Sequence, residues 1–504
     1  MENDKKKKTA VRAAIVTALV LCFAAGLAVP LLFRSASSRR LQKITDVYNL
    51  LENQWYFAND VDDLDDLLIE QAIAGMTNLE IDPHTNYFNL EEAQSFSSAL
   101  KGSNAGIGIS YYTNSEGNMV VQTVFINSTA DTAGLQEGDV IVQVGELTAA
   151  ENDADALVRE IQNHRDQDLR LVLERDGEQK TVTVKPGTYD STVSVSQEGD
   201  TGIIRLVSFS ETTGDAFENA VDRLKKNGAK NLIIDVRDNT GGYLSSVLQI
   251  ASKLLPADSV VFQEKDKSGR QTEKKVNKDA KPVAFDEIVV LQNGSTASAS
   301  EVLIGALRDN LKNVRTVGTT SYGKGTEQVS VPFKDGTSIK YTVAEWLTPK
   351  GKSINRKGFT PDEEVESEGL GGLRYPQLEA GTQVKADEVS PYAAAIQTFL
   401  QELGYPVDRT DSYFSWAGSE ALSQFQSDHG LEATGVADVQ TFNALEKAAI
   451  AHYMEGAKEA DAQLNKALAL LGEKQEDVHE DVDEEEDVYY EESDTVYDYA
   501  APLQ

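Results

Sequence analysis

The sequence predicts an α/β multidomain chain: a layered α/β core, preceded by a small domain of short strands and followed by a small all-α domain. Three observations carry this. From 201 to 310, apolar strand-like runs alternate with amphipathic helical segments, the pattern of a layered sheet. From 102 to 187, short strands surround one strong helix, and beyond 388 only helical periodicity remains. The length, 504 residues, suits three or four domains at roughly 150 residues each. A hydrophobic share of 40% with 26% charged residues excludes both a wholly disordered chain and a polytopic membrane protein.

Lys plus Arg number 47 against 82 Asp plus Glu, a formal net charge of -35. So acidic a chain repels phosphate backbones, and nucleic acid is excluded as a partner. A single cysteine, Cys22, rules out an intramolecular disulfide framework and a cysteine zinc cluster. The five histidines stand at 84, 164, 429, 452 and 479 without HExxH or HxH, so neither a metal site nor a cofactor is expected. Part of the charge is local: residues 473–504 hold 14 acidic residues and one Lys, and 472–504 read as a solvated, disordered acidic tail.

At the other end, Lys5, Lys6, Lys7, Lys8 and Arg12 precede an uncharged run of 21 residues, 13–33, closed by Arg34. As a helix that run spans about 31 Å, the hydrocarbon thickness of a bilayer. The basic cluster assigns residues 1–12 to the cytoplasm and everything after Arg34 to the outside. The length of the run favours an uncleaved single-pass anchor in the cell membrane over a cleavable signal peptide.

Residues 40–100 read as helices. Leu41, Ile44, Val47, Leu51 and Trp55 recur at helical spacing, and a second helix spans 64–76. Pro83 pushes Asp82 out of the helical region, so the segment from Asp82 to Phe88 is a turn. His84 in that turn is read as structural, because no nucleophile or orienting acid stands near it in sequence.

In the strand-rich region, Gly106-Ile107-Gly108-Ile109 opens a strand, 119–125 and 139–144 are two more, and 151–163 is an amphipathic helix. Segments 169–174 and 179–185 form a hairpin across Asp176-Gly177. The stretch Ser128-Thr129-Ala130, Ala133-Gly134-Leu135, Glu137-Gly138-Asp139-Val140-Ile141 resembles a signature of bacterial PDZ domains, with Thr129 where Pro is usual. The resemblance implies a PDZ domain over 101–188. Gly106, Ile107, Gly108 and Ile109 would then offer backbone N–H groups to a peptide's terminal carboxylate, and the adjoining strand edge would take the peptide as an added strand.

In the core, strands at 201–209, 231–236 and 287–292 alternate with helices at 215–227, 245–255 and 301–310. Two turns lie where a strand gives way to a helix: Asp235-Val236-Arg237-Asp238-Asn239-Thr240-Gly241-Gly242, and Thr296-Ala297-Ser298-Ala299-Ser300-Glu301. There, backbone N–H groups and a hydroxyl sit where developing negative charge is stabilised. A third segment, from Gly318 to Gly325, is one residue short of a phosphate-binding loop. Gly325 stands where the magnesium-binding hydroxyl belongs, and the residues after it alternate like a strand, so nucleotide binding is excluded. Lys324 between two glycines suits another role. Excluded from water, a lysine loses part of its preference for the charged form and can take the proton of a serine hydroxyl. No histidine lies between His164 and His429, which removes a Ser/His/Asp arrangement from this core.

These residues bring the chain, over 40–366, into resemblance with the C-terminal processing peptidases, the tail-specific serine proteases. Asp235 to Gly242 match DxRxNxGG with Thr240 where Pro is usual, Thr296 to Glu301 match SASASE, and Gly323 to Gln328 match GKGxxQ. The resemblance implies that Ser298 is the nucleophile, Lys324 the general base and Gln328 the residue that orients it. The oxyanion hole would combine the Ala299 N–H with one from Gly241 or Gly242. Ser295 and Ser300 remain alternative nucleophiles, and Asp235, Arg237 and Asp238 are read as structural. The protease core would occupy 189–366, with the PDZ domain inserted before it.

A linker over 367–386 leads to 387–449, which resembles a small helical peptidoglycan-binding domain. The likeness rests on Ile396-Gln397, Leu400, Leu403-Gly404-Tyr405, Ala421-Leu422, Phe425-Gln426, Gly430-Leu431, Gly435, Thr441 and Leu445. Residues 450–471 are expected to continue as one helix. Together the resemblances imply a membrane-anchored, extracytoplasmic serine endopeptidase that recognises free apolar C-termini through its PDZ domain and cuts with a Ser–Lys dyad. Its partners would be peptide substrates, the cytoplasmic membrane and peptidoglycan, with a homodimer left open. The competing class is a non-catalytic PDZ and cell-wall adaptor with an inactive protease core.

Overall fold

A computed structural model describes residues 37–473 apart from 115, 368, 369, 371, 372 and 374. The apolar run 13–33 and nearly all of the acidic tail lie outside the described residues. Among those described, no helix is long and apolar enough to cross a membrane.

The centre of the molecule is a six-stranded sheet in the order Val193–Glu198, Thr201–Leu206, Asn231–Asp235, Ile288–Gln292, Val314–Gly318, Glu363–Glu364. Only the first pair is antiparallel. A parallel sheet must be covered on both faces, and its strands are accordingly apolar at consecutive positions. Leu232, Ile234, Ile288 and Val290 face one side, where helices Thr213–Lys226, Leu244–Leu254 and Ala299–Asn310 pack on them. Ile233, Val289, Leu291 and Val317 face the other, where Ala467 and Leu468 of the helix Ala462–Leu470 close the layer.

That second cover comes from the far end of the chain, and it corrects the single helix expected over 450–471. The structure has Val439–Ala460, a break at Asp461, and then Ala462–Leu470. Asp461 caps the second helix through the Leu464 N–H, and its carboxylate takes both terminal nitrogens of Arg237, at 2.8 and 2.9 Å. The start of the expected tail is also held: Glu473 accepts from the Asp200 N–H and the Thr201 hydroxyl. The expected linker is no free spacer either. Leu378 and Val384 are buried in the core of the C-terminal domain, and Leu370, Leu373 and Tyr375 pack on it.

The N-terminal segment folds as helices Ser37–Gln54, Leu64–Thr77 and Leu90–Lys101. The apolar stripe of the first helix is exposed at Leu41, Ile44, Val47 and Leu50. Between the second and third helices, the short strand Asn86–Phe88 joins the sheet built by Ser338–Leu347, Val260–Asp266, Gln271–Lys275 and Thr326–Pro332. Its register sets Asn86 opposite Lys340.

The strand-rich domain is a sheet in the order Ile109–Thr113, Met119–Val124, Val140–Val144, Leu169–Arg175, Glu178–Val184. The Asp176-Gly177 turn has φ of 54° and 74°, the left-handed pair a two-residue hairpin requires. Ile109–Thr113 is an edge strand of this sheet. The domain is locked to the core by Arg223, whose guanidinium grips Asp131 at 2.7 and 2.6 Å.

Candidate active site

The strand Ile288–Gln292 ends in a turn tied down by buried hydroxyls, and the helix Ala299–Asn310 begins just past Ser298. Thr296 accepts from the Asn293 N–H and donates to the Val236 carbonyl, while Ser300 donates to the Asn239 carbonyl. Both are fully buried, so Ser300 has no path to a substrate. Ser295 is partly exposed and its N–H is held by the Asn293 side chain. Ser298 differs from its neighbours. It is partly exposed, and its backbone lies at φ 55°, ψ -117°, a region that costs a non-glycine residue on the order of 1–3 kcal/mol. The surrounding hydrogen bonds hold that strain.

Lys324 sits in the loop before the strand Thr326–Pro332. A Cβ on Gly323 would come within 2.7 Å of the Lys357 nitrogen, so only glycine lets the loop press so closely on its neighbour. The Trp346 indole donates to the Lys324 carbonyl at 2.8 Å from beneath. Burial lowers the Lys324 amine below its ordinary value, the nearby Lys340 charge pushes the same way, and Glu301 opposes both.

The two loops meet on Glu301, a fully buried carboxylate. Its Oε2 accepts from the Ser298 N–H and the Lys324 N–H, each at 2.8 Å, and its Oε1 from the Gly323 N–H and the Ser321 hydroxyl, each at 2.7 Å. Burial raises this carboxyl above the ordinary value, against the pull of the four donors. Glu301 has a local signal in the sequence, an acid three residues after Ser298 at a helix start. Its grip on the lysine loop has none.

The DxRxNxGG turn packs on the same spot. A Cβ on Gly241 would fall 2.9 Å from the Ser298 Cβ and 3.0 Å from the Ala299 nitrogen, so the two turns touch where that side chain is missing. Of the two glycines left open as oxyanion donors, Gly241 is committed: its N–H donates to Asn239 Oδ1 at 2.9 Å. The N–H groups of Gly242 and Ala299 have no acceptor among the described residues. Asn239, fully buried, is the hub of this turn and also donates to the Leu206 carbonyl. Asp235 and Arg237 form an ion pair at 2.8 Å, and its charge holds the buried Asp235 carboxyl below the usual range although burial pulls it upward.

Gln328 stands on the strand Thr326–Pro332, beyond the Lys324 loop. Its amide nitrogen donates to Thr326 at 2.9 Å and Thr342 at 3.1 Å, and no hydrogen bond joins it to Lys324 among the described residues. Thr342 connects it to a group sequence reading passed over: the Thr342 hydroxyl donates to Asp82, and the Thr85 hydroxyl accepts the Thr342 N–H. His84, in the same turn, senses the Lys324 charge. Burial first, and then Lys324, keep its imidazole below the ordinary value. Among the described residues no group of three or more His, Cys, Asp and Glu could hold a metal ion.

In the strand-rich domain, the Gly106, Ile107, Gly108, Ile109 loop leads into the edge strand. The N–H groups of Ile107 and Gly108 have no acceptor among the described residues. Asp139 of the GD pair is fully buried under a two-pronged bond from Arg175, which secures the turn after the loop's supporting helix.

Sequence comparison matches residues 200–365 to peptidase family S41, 105–185 to the PDZ domain and 390–445 to a peptidoglycan binding domain. The chain is 30% identical over 438 residues to the "Probable CtpA-like serine protease" of Staphylococcus aureus (strain COL), covering 86% of this chain and 85% of that one. It is 29% identical over 463 residues to the "Carboxy-terminal processing protease CtpA" of Bacillus subtilis (strain 168), covering 91% and 96%. Among solved structures, the photosystem II D1 C-terminal processing protease aligns with 65% of this chain and 93% of its own, at 25% identity and a TM-score of 0.38. The chain belongs to the CtpA-like C-terminal processing serine peptidases of family S41.

Proposed function

We propose that this peptidase cuts with a Ser298–Lys324 dyad, and that it works outside the cytoplasmic membrane, anchored by residues 13–33. The observation that carries the dyad is the single Glu301 oxygen that holds the peptide groups of both residues. The neutral Lys324 amine takes the Ser298 hydroxyl proton as the oxygen attacks the scissile carbonyl. The N–H groups of Ala299 and Gly242 receive the oxyanion. The resulting ammonium then protonates the leaving amine, and a water repeats the sequence on the acyl-enzyme.

The PDZ loop at Gly106, Ile107, Gly108 and Ile109 reads the free C-terminus of the substrate and presents the chain to this site. Binding of the 387–449 domain to peptidoglycan holds the enzyme at the wall. The exposed stripe of Leu41, Ile44, Val47 and Leu50 supports a second copy of the chain as partner. The test is degradation of an unfolded protein with an apolar C-terminus by the wild type, Ser298→Ala and Lys324→Arg. Cleavage by the wild type alone is expected, since guanidinium cannot act as the base. Retention of more than about a tenth of wild-type activity by either variant defeats the dyad, because losing the nucleophile or the base costs far more than tenfold.

A further inference from the structure

Three residues upstream and downstream of the catalytic loops form one hydrogen-bonded chain with a fixed direction. Asp82, in the turn before the strand Asn86–Phe88, accepts on Oδ1 from the Thr342 hydroxyl at 3.0 Å and the His84 N–H at 3.2 Å. Its Oδ2 accepts from the Thr85 hydroxyl at 2.6 Å. Burial raises this carboxyl, but the bonds from Thr85 and Thr342 outweigh it and leave the group below its ordinary value. Asp82 is therefore ionised wherever the enzyme works, and an ionised carboxylate can only accept.

The Thr342 hydroxyl has one proton, and Asp82 takes it. Toward Gln328, Thr342 can then only accept, so the group facing it must be the amide nitrogen. Thr326 holds that nitrogen from the other side at 2.9 Å. The amide oxygen, Oε1, accepts no hydrogen bond among the described residues. Gln328 lies four residues beyond Lys324, on the strand that Thr326 begins.

This direction matters for a lysine base. A neutral amine has two N–H donors and one lone pair. An oxygen beside it takes an N–H and leaves the lone pair free for Ser298. An amide nitrogen in the same place would donate into the lone pair and block it.

We propose that Asp82, acting through Thr342, is a positioning residue that sets the Gln328 amide with its oxygen toward Lys324, keeping the lysine lone pair for Ser298. The inference rests on the Ser–Lys reading above. Among the described residues, the charged or titratable groups that act on Lys324 are Lys340 from the strand Ser338–Leu347, Glu301 from the helix Ala299–Asn310, and His84 from the turn of Asp82 itself. Only the last two residues of the relay, Thr342 and Gln328, are uncharged, so changing Thr342 alters the relay without altering this field.

The test compares full-length wild type with Thr342→Val, Thr342→Ser and Asp82→Asn, using an unfolded reporter with a free apolar C-terminus, across pH. Ser298→Ala and Lys324→Arg run beside them. Thr342→Val and Asp82→Asn are expected to lower kcat roughly ten- to fiftyfold, the scale of a misaligned catalytic group, with KM within about twofold. Their rising limb should also move to lower pH, because an amide nitrogen beside Lys324 disfavours the ammonium. Thr342→Ser keeps the hydroxyl and should keep the limb in place, with kcat within about threefold of wild type. A plateau that falls while the limb stays put in both Thr342→Val and Asp82→Asn would mark a merely structural role and overturn the inference. Should Thr342→Val fail to fold, Thr342→Ala, which removes the hydroxyl and leaves every charge in place, decides by the same limb. Activity in Ser298→Ala or Lys324→Arg would bring down the dyad and this inference with it, whereas their inactivity beside an unshifted limb overturns the inference alone.

Discussion

Ser298 and Lys324 share one hydrogen-bond acceptor: Oε2 of Glu301 takes the backbone N–H of each at 2.8 Å. The two peptide nitrogens thus lie within twice that distance of one another, although their side chains belong to different loops. Because Glu301 is fully buried, no water competes for those bonds. Holding both residues from the backbone leaves their side chains free for the proposed chemistry.

Glu301→Gln should therefore be far from conservative. The amide nitrogen would face donors on one side and leave two of the four unpaired, at about 1–3 kcal/mol each. A lowered urea midpoint is expected together with a kcat reduced on the order of a hundredfold, the effect of a displaced loop. Wild-type kcat in a folded Glu301→Gln enzyme would show that the shared oxygen is dispensable.

Lys340 bears on the pH profile. In the proposed dyad the base is the neutral amine, so the rate should climb with pH through the Lys324 pKa. Lys340 is the second cause, after burial, that lowers that pKa. Lys340→Met removes the like charge and should move the rising limb of kcat/KM to higher pH, with lower activity at neutrality. A limb that moves to lower pH, or stays, contradicts this account.

Glu327 lies on the same strand as Gln328 but carries no catalytic role. Burial first, and then the Glu264 charge, raise its carboxyl to about 7, and its Oε2 is buried without a partner. The folded state thus binds this proton more tightly than the unfolded chain. Its contribution is fully present below the unfolded value, near 4.5, and is lost as pH rises through about 7. Glu327→Gln does not titrate, so the stability of the variant relative to wild type should increase between pH 5 and 8. Urea midpoints at intervals across that range test the sign.

Asp461 ties the C-terminal helix to the Asp235–Gly242 turn through Arg237. Arg237 is largely buried but stays paired with Asp235 when Asp461 is lost, so the cost is that of its hydrogen bonds to a charged group, about 1.5–3 kcal/mol. Asp461→Ala should lower the denaturation midpoint accordingly and reduce kcat, since Arg237 leads directly into Asn239 and Gly242. A chain ended before Asp461 should not fold stably, because Ile233, Val289, Leu291 and Val317 would lose the cover of Ala467 and Leu468. A soluble, active enzyme truncated at 460 would refute this.

Substrate recognition can be tested without altering the enzyme. If the Gly106–Ile109 loop reads the terminal carboxylate as proposed, amidating a substrate's C-terminus removes that charge and should weaken engagement by about 1.5–3 kcal/mol, the worth of hydrogen bonds to a charged group. Cleavage well below saturation should fall roughly ten- to hundredfold, since each 1.36 kcal/mol is tenfold. Equal rates for acid and amide would mean the terminus is not read.

The sequence alone determined those features that depend on neighbours along the chain. The strands at 231–235 and 288–292 follow from apolar runs, and the hairpin at Asp176-Gly177 follows from turn chemistry. Ser298 and Lys324 are candidates on local grounds, since each stands in a short motif that the sequence shows directly. Tertiary structure decided what depends on convergence. Glu301, Asp82, Thr342 and Asp461 are ordinary polar residues locally, and their partners lie far away in sequence or in another loop. That the Gly241 N–H is committed to Asn239 depends on how the folded turn places that side chain. The helix Ala462–Leu470 shows the same division. Its periodicity marks a helix, but only the packed sheet, with a second apolar face that water cannot be allowed to wet, determines that it belongs to the protease core.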